Sequence, residues 1–255
     1  MAMQGQAQPD ERAAELFFQL ASVDRKRILS ELQKEDLHLN EVAKRLGMTA
    51  TETLRQLQRM TDARLLEKMP DGKYALTPYA RVVLDNTATL DFVSKFREFF
   101  LDHDASLVPQ EYRARFGELS GARMTTSTVE TINLVTDMFE GAEKKIDASV
   151  LGMRLHLDIA MRRLQEGLKV RWLMDDSFLT KAKSMYGSVR PLPELRRTPR
   201  IIGHINVTDK VGMLTIRRND GTMSYYAFYG QDASVLKWAN DMFTHEWEKA
   251  KPWYP

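Results

Sequence analysis

The segment from Leu39 to Leu76 has the sequence LNEVAKRLGMTATETLRQLQRMTDARLLEKMPDGKYAL and contains the signals of two short helices and a hairpin. Its first apolar residues recur at i, i+3, i+4 and i+7, the spacing of one helix face, and are Leu39, Val42, Ala43 and Leu46. Gly47 follows them where the first helix is expected to end in a turn. A second helix is expected from Thr49, because the carboxylate of Glu52 gives the capping-box spacing.

This second helix, expected over Thr49 to Ala63, has one apolar and one polar face. The apolar positions repeat at i, i+4 and i+7 and are Thr53, Leu57 and Met60. The opposite face carries side chains of the types that bind bases and phosphates, namely Thr51, Glu52, Arg55, Gln56 and Arg59. The order of helix, tight turn and helix is that of a helix-turn-helix, whose second helix enters the DNA major groove.

A hairpin is expected directly after this motif. Asp71-Gly72 is a strong turn signal between two short runs, the second of which ends at Leu76. Such a hairpin is the wing of a winged helix-turn-helix, from which Lys68 and Lys73 would contact the DNA backbone. The complete set of predicted DNA-binding residues is Lys44, Arg45, Thr49, Thr51, Glu52, Arg55, Gln56, Arg59, Lys68 and Lys73.

The composition is that of a globular protein long enough for two domains. Of its 255 residues, 43% are hydrophobic and 28% are charged. The chain has no cysteine, which excludes disulfides, zinc fingers and thiolate metal sites, and we expect neither a metal nor a cofactor. It has no run of about 18 apolar residues and no apolar signal-peptide region, so a cytoplasmic protein without membrane contact is expected.

The charge of the first 80 residues is balanced. They hold twelve Lys and Arg and twelve Asp and Glu, within a chain of net charge +2. Because phosphate neutralisation supplies most of the nonspecific affinity for DNA, a neutral domain is expected to bind weakly as a monomer and to gain from dimerisation.

The chain is predicted to have four parts: a disordered tail over 1–9, a winged helix-turn-helix domain over 10–77, a connecting or dimerisation helix over 78–106, and an α/β sensor or regulatory domain over 107–255. The connecting helix has more apolar side chains than one face needs: Val82, Val83, Leu90, Phe92, Val93, Phe96, Phe99 and Phe100. Such excess apolar surface is usually buried against a second subunit or the next domain, and we expect a homodimer. The alternative is that the aromatic cluster packs on the C-terminal domain of the same chain.

Strand and helix signals alternate in the last part, which favours an α/β architecture. A predicted βαβ unit consists of a strand over 146–151, a helix over 157–166 and a strand over 169–174. Further predicted elements are strands over 200–202, 211–216 and 225–229, a turn over 219–221, an exposed Pro-rich loop over 190–199 and a core-packing helix over 233–248. On the strand over 225–229, Tyr225 and Tyr229 are expected to share one face.

Several motifs resemble a known family. They are FREFFLDHD at 96–104, Val108-Pro109 and RFGEL at 115–119. From Asp24 to Trp247 the chain resembles archaeal winged-helix transcriptional regulators of the methanogenesis regulatory protein family. The resemblance implies an ArsR-like or MarR-like N-terminal domain and a C-terminal domain similar to the phospholipase D fold without its catalysis. Leu54 departs from the family pattern at a recognition position that is usually polar, and Arg64 departs where glycine commonly precedes the wing.

Candidate sites in the last part are of two kinds. A phospholipase D-type enzyme uses His-x-Lys-x4-Asp, and neither His156-Leu157-Asp158 nor His204-Ile205-Asn206 has the lysine. Polar residues near the carboxyl ends of parallel strands are candidate ligand-binding groups, namely Arg154, His156, Asp175, Asp176 and His204. The alternative is that Asp175 and Asp176 cap a helix and that each histidine has an ordinary structural environment.

These observations lead to one hypothesis and two alternatives. We expect a dimeric transcriptional regulator that binds double-stranded promoter or operator DNA, carries a second domain for a small-molecule effector or for assembly, and has no enzyme activity. The first alternative is a phosphodiester-processing enzyme of phospholipase D-like fold that a winged-helix domain targets to its substrate. The second is that the C-terminal domain is a protein-interaction platform without a ligand pocket.

Overall fold

The computed structural model describes residues 9–150, 154–186 and 191–254. The chain divides into two compact units, with the division between Thr87 and Ala88. Residues 1–8 of the predicted tail lie outside the described residues, and its last residue, Pro9, begins the first helix. The finer domain limits predicted from the sequence, 10–77, 78–106 and 107–255, stay predictions.

Short helices and a hairpin make up the described part of the first unit. In chain order they are α1 (Pro9–Leu20), α2 (Val23–Leu32), α3 (Leu39–Leu46), α4 (Ala50–Asp62), β1 (Leu66–Lys68) and β2 (Tyr74–Leu76). β1 and β2 pair as antiparallel strands. The predicted order of helix, turn, helix and hairpin is therefore confirmed at the level of secondary structure.

The turn between α3 and α4 has clear local causes. Gly47 ends α3 with a φ of +66°, a left-handed conformation that glycine adopts without strain. The backbone N–H of Glu52 donates to Thr49 Oγ1 at 3.2 Å, so Thr49 caps α4 as predicted. The start of α4 is thus fixed to within one residue by its own sequence.

The apolar faces of these elements form one core. Thr53, Leu57 and Met60 of α4 are completely buried, which confirms the predicted inward face. Residues of α2, α3, the hairpin, the start of the next helix and the segments between them complete this core, namely Ile28, Leu29, Leu32, Leu37, Val42, Leu65, Leu66, Tyr74, Leu76 and Ala80. Because one face of α4 is buried here, its opposite face is exposed to solvent.

The long helix predicted after the hairpin is interrupted. α5 extends over Pro78–Lys95 and α6 over Arg97–Asp102. Between them Phe96 leaves the helical conformation, with a φ of −110° and a ψ of +33°. The periodic apolar pattern continues through this point, so the sequence pattern alone did not reveal the break.

The rings of this segment pack inside the second unit. The centroids of Phe92, Phe96, Phe99 and Phe100 lie 4.6–6.2 Å from that of Phe228. The alternative, that the aromatic cluster packs on the C-terminal domain of the same chain, is therefore correct for these rings, and the homodimer stays a prediction. The physical reason is that Phe228 supplies aromatic contacts at the distances that ring pairs favour.

In the described part of the second unit, eight strands form one mixed sheet. They are β3 (Arg123–Met124), β4 (Lys145–Val150), β5 (Lys169–Asp175), β6 (Glu194–Thr198), β7 (Ile205–Thr208), β8 (Gly212–Leu214), β9 (Phe228–Gly230) and β10 (Lys251–Pro252). Their spatial order is β10-β6-β5-β4-β7-β8-β9-β3. β4, β5 and β6 are parallel, and β7 joins β4 as an antiparallel neighbour.

Helices pack against this sheet and enclose two cores. They are α7 (Gln110–Arg113), α8 (Thr128–Glu140), α9 (Arg154–Gln165), α10 (Leu179–Tyr186) and α11 (Ala233–Lys249). Successive strand residues point to opposite faces, so Leu173 belongs to a core with Trp238 and Phe243 of α11, whereas Trp172 belongs to one with α8, α9 and α10. The predicted βαβ unit is confirmed by β4, α9 and β5, and α11 packs in a core as predicted.

Some strand predictions for the second unit were wrong. Residues 200–202 are not a strand, and the segment predicted as an exposed loop contains β6, although its first residue, Arg190, lies outside the described residues. A strand with polar side chains is accommodated here because they find partners in the fold. The Arg196 guanidinium lies 4.8 Å from the Trp247 ring and donates to the Trp247 carbonyl at 2.8 Å. β9 begins at Phe228, so Tyr225 and Tyr229 do not share a strand face.

Candidate functional site

The outer face of α4 exposes two arginines. Arg55 and Arg59 are both exposed, and the Arg55 side chain retains 59% of its accessible surface. An Arg55 guanidinium nitrogen lies 3.2 Å from a Glu52 carboxylate oxygen. Because an exposed pair of this kind contributes little stability, Arg55 can exchange this partner for another acceptor. Thr51 is exposed beside them, as predicted.

Gln56 is not on this outer face, and its predicted placement there was wrong. The residue is only 5% exposed, and its Oε1 accepts a hydrogen bond from Arg25 at 3.2 Å. Arg25 also donates to the backbone carbonyls of Phe18 and Gln19. Gln56 lies three residues after Thr53 and four before Met60, so it borders the buried stripe. That spacing was the available signal for burial.

We expect Gln56→Ala to lower the free energy of unfolding of the first unit by about 1–3 kcal/mol, because it leaves a buried Arg25 donor without its acceptor. Urea unfolding followed by far-ultraviolet circular dichroism measures this loss. Gln58→Ala is the matched control, since Gln58 is exposed on the same helix and bonds only Asp62 among the contacts described. A variant that keeps its stability would contradict the structural role of Gln56.

The cations of α3 differ in their surroundings. Lys44 is exposed, whereas Arg45 donates to Glu35 at 2.7 Å and to Glu31 at 3.4 Å. The hydrogen bond that Arg45 donates to the Glu35 carboxylate is the main reason that the pKa of Arg45 is raised above its ordinary value. Arg45 was predicted to contact DNA, but its charge is already compensated by two carboxylates. Thr49 uses its hydroxyl to cap α4.

The hairpin has the turn that the sequence predicts. Gly72 has a φ of +88°, and the Asp71 carboxylate accepts a hydrogen bond from the Lys73 backbone N–H at 3.1 Å. Lys68 is exposed with its Nζ 5.8 Å from the Tyr74 ring centroid. Arg64 has a φ of +61°, a left-handed conformation that glycine adopts more readily than arginine.

A cavity of about 70 Å³ lies in the second unit. Its wall contains residues of α8, β4, α9, β5, β7 and β8, namely Thr131, Ile132, Val135, Phe139, Ala148, Ser149, His156, Leu157, Trp172, His204, Asn206, Met213 and Tyr225. The structure thus brings together His156 and His204, two of the predicted ligand-binding residues. The side chain of Arg154, a third, lies outside the described part of the chain.

Both histidines in this wall are neutral near pH 7. Burial lowers the pKa of His204 and that of His156 below the ordinary histidine value. His204 Nδ1 lies 3.0 Å from the Ser149 carbonyl and His156 Nε2 lies 3.2 Å from the Ile132 carbonyl. A carbonyl accepts, so these nitrogens carry the protons. The second ring nitrogen of each histidine is then a hydrogen-bond acceptor.

Asp175 and Asp176 do not line the cavity, and their ligand role stays a prediction. Asp175 accepts hydrogen bonds from the Ser177 and Ile201 backbone N–H groups and pairs with Arg217 at 2.9 Å. Asp176 pairs with Arg197 at 3.2 Å. The capping alternative is therefore correct for Asp175, because the end of β5 needs an acceptor for the turn that follows.

Two features are absent from the described residues, a cluster of metal ligands and a membrane-spanning helix. Among the described residues, no group of three or more His, Cys, Asp or Glu side chains is arranged to hold a metal ion. In the same residues, no helix has the length and apolar character to cross a membrane.

Comparisons with known proteins gave remote similarities. No protein-family model matches, and no curated protein matches. The chain is similar to the structure of TrmBL2, an archaeal chromatin protein described as showing a novel mode of DNA binding, at 15% identity and a TM-score of 0.43, covering 96% of this chain and 99% of that one. It is also similar to NucT from Helicobacter pylori and to Nuc, a phospholipase D family member from Salmonella typhimurium.

NucT and Nuc match only part of the chain. NucT is 12% identical and Nuc 10%, each with a TM-score of 0.42, and each match covers 52% of this chain and 98% of the other. Because all of these TM-scores lie below 0.5, we draw no conclusion about fold or function from them.

Proposed function

We propose that this chain is a sequence-specific DNA-binding transcriptional regulator whose first unit is a winged helix-turn-helix. α4 is the recognition helix, and the β1–β2 hairpin is the wing. The observation that carries this proposal is the exposure of Arg55 and Arg59 on a helix whose other face is completely buried. Arginine is the side chain that most often binds guanine through two hydrogen bonds.

The dimensions of α4 fit a major groove. Its 13 residues give a length of about 20 Å at 1.5 Å per residue, and the groove is about 12 Å wide. In a helix-turn-helix the first residues of the recognition helix contact base edges. Arg55 is therefore assigned to bases and Arg59, one turn further along, to phosphates. Exposed Leu54 can contact a thymine methyl group.

The surrounding cations are assigned to the DNA backbone. Lys44 on α3 and Lys68 and Lys73 on the hairpin come from elements that adjoin α4 in the sequence, and α3 and β1 both contact α4. Contacts to phosphates fix the orientation of a protein on the duplex without selecting a sequence. We give Arg45 no such role, because Glu31 and Glu35 already bind it.

A homodimer is part of this proposal. The first 80 residues are neutral, so two copies on adjacent half-sites would compensate for weak binding by one. Phe17 and Phe18 on α1 are each 61% exposed and Val82 on α5 is 62% exposed, which gives apolar surface that a second copy could cover. Sedimentation equilibrium distinguishes the mass of two chains from that of one.

We further propose that the second unit binds a small molecule without converting it. At the position where a phospholipase D-type motif would have lysine, His204-Ile205-Asn206 has asparagine, which cannot supply a positive charge to a phosphate. A phosphodiester-processing enzyme is the alternative. It would be favoured if the purified protein cleaved a phosphodiester and if His204→Ala abolished the cleavage.

Fluorescence anisotropy tests the proposed function directly. The full-length protein is titrated against labelled DNA from its own promoter and against a scrambled duplex of equal length, at two salt concentrations. We expect a preference for the promoter that persists at the higher salt concentration. Equal binding to both duplexes, lost together as salt rises, would contradict sequence-specific regulation.

A further inference from the structure

Two polar atoms in the cavity wall have no hydrogen-bond partner among the described residues. They are Ser149 Oγ and Asn206 Oδ1, in side chains that are 2% and 5% exposed. Buried polar groups in folded proteins nearly always have a partner, and an unpaired one destabilises the fold. Asn206 lies in the middle of the sheet, opposite Ala148 on β4 and Met213 on β8. A side chain with an unmet hydrogen bond at this place indicates that the partner comes from a ligand.

The wall of the cavity favours a neutral ligand with hydrogen-bond donors. Asn206 Oδ1 is an acceptor, and the neutral rings of His156 and His204 each provide one further acceptor nitrogen. None of the described lining residues carries a fixed charge. An anion would therefore lose its hydration without gaining an ion pair from them, which is strongly unfavourable.

The remaining wall and the volume limit the size of the ligand. Phe139, Leu157, Trp172 and Met213 give the cavity large apolar areas, which a short hydrocarbon group can contact. Its volume of about 70 Å³ is roughly half that of a cavity known to hold benzene. Such a space accepts only a few non-hydrogen atoms. Tyr225 is 40% exposed, so the cavity lies close to the surface and a longer ligand can extend outward there.

We propose that this cavity binds the neutral primary amide or hydroxyl end of a small molecule with a short apolar chain. The ligand donates a hydrogen bond to Asn206 Oδ1 and exchanges a second one with the Ser149 hydroxyl, while its hydrocarbon part contacts Trp172 and Phe139. This inference names a ligand class for the second unit of the proposed regulator. Binding in the cavity does not require DNA, so only the regulatory role of the ligand rests on the proposed function.

Propionamide and propionate are suitable probes, because each has five non-hydrogen atoms and they differ in charge and in the amide donors. Saturation-transfer NMR on the full-length protein without DNA measures their binding at pH 7.5. We expect propionamide to bind with a dissociation constant in the roughly millimolar range that is usual for so small a ligand, and propionate at least about tenfold more weakly. Equal binding of the two probes, binding of inorganic phosphate in preference to propionamide, or no transfer from propionamide would each overturn the proposal.

Asn206→Leu tests the assigned acceptor. Leucine has a similar volume but no polar atom, so we expect the dissociation constant of propionamide to rise at least about tenfold while the urea midpoint of unfolding stays the same or rises. Thr208→Val on the same strand is the matched control. Thr208 does not line the cavity, and its hydroxyl accepts from the Lys210 and Val211 backbone N–H groups, so this variant is expected to lose stability and keep binding.

A second variant keeps the inference falsifiable if Asn206→Leu fails to fold. Ser149→Ala removes the other unpartnered atom with little change in volume, and we expect about a threefold to fivefold rise in the dissociation constant of propionamide. Unchanged binding in a folded Asn206→Leu, or in Ser149→Ala where Asn206→Leu does not fold, overturns the proposal. Because no DNA is present, this result is independent of the promoter titration, and either proposal can fail alone.

Discussion

Replacing Arg55 and Arg59 together by alanine is expected to weaken binding to promoter DNA by about a hundredfold or more. A bidentate arginine contact discriminates its base by about 1–3 kcal/mol, and a second contact to base or phosphate adds to this loss. Both side chains are exposed, and the Arg55 pair with Glu52 contributes little, so the free energy of unfolding should change by less than about 1 kcal/mol. Fluorescence anisotropy and urea unfolding measure the two effects separately.

Two control variants make this expectation specific. Lys68→Ala with Lys73→Ala removes two hairpin cations, so it should weaken binding to promoter and scrambled duplexes alike and reduce the salt slope by about two. Arg12→Ala with Lys34→Ala removes two cations from outside α3, α4 and the hairpin, and it should leave promoter binding unchanged. If the Arg55 and Arg59 variant binds promoter DNA as well as the unmodified protein, α4 is not the recognition helix.

The first unit was largely predictable because its signals are local. Gly47 needs a left-handed conformation, Thr49 satisfies a backbone N–H three residues away, and Asp71-Gly72 forms a turn among neighbouring residues. Each of these effects involves residues within about four positions of one another, so a short stretch of sequence is enough to predict it. Gln56 was misplaced although its spacing from Thr53 and Met60 puts it beside the buried stripe; only its partner, Arg25, is distant, at 31 residues.

The second unit was less predictable because its strands are stabilised by distant residues. β6 pairs with β5 and β10, and the guanidinium of Arg196 packs on the ring of Trp247, which lies 51 residues later in the chain. A basic, Pro-flanked segment gives no local sign of that environment. The opposite error occurred at Ile201 and Ile202, where a strand was predicted and none is present. Both residues are buried outside any strand, because a buried apolar residue does not have to belong to one.

The cavity illustrates the same limit at the candidate site. The sequence identified His156 and His204 as candidates. It did not show that β4 and β7 are antiparallel neighbours, the pairing that brings His204 to the Ser149 carbonyl. Asn206 and Ser149 were not singled out as ligand-binding groups. Their importance comes from the absence of a partner among the described residues, and only the three-dimensional arrangement can show this.

A stability experiment distinguishes the structural role of Asp175 from its earlier assignment as a ligand group. We expect Asp175→Ala to destabilise the second unit by about 3–5 kcal/mol, because it leaves the mostly buried Arg217 without its carboxylate and removes the acceptor for two backbone N–H groups. All four tryptophans lie in the second unit, so tryptophan fluorescence during urea unfolding reports on that unit alone.

The neighbouring residue provides the matched control. Asp176 pairs with Arg197, and both side chains keep more than a third of their surface exposed, so Asp176→Ala should cost less than about 1 kcal/mol. Neither variant is expected to change propionamide binding in folded protein, because neither residue lines the cavity. A loss of binding in folded Asp175→Ala or Asp176→Ala would instead support the ligand role predicted from the sequence.

The destabilisation caused by Asp175→Ala should also depend on pH. Burial by itself raises the pKa of Asp175, but the hydrogen bonds from Ser177 and Ile201 and the charge of Arg217 outweigh it, so the pKa of the folded protein lies below the ordinary value. A lowered carboxyl pKa stabilises the fold above the unfolded-state value of about 3.9, and this contribution is lost as the pH falls through the folded value. The difference in unfolding free energy between the unmodified protein and Asp175→Ala should therefore be constant from pH 7 to about pH 5 and narrow below about pH 4. A difference that stays constant at lower pH would mean that the lost hydrogen bonds, and not the carboxylate charge beside Arg217, account for the effect.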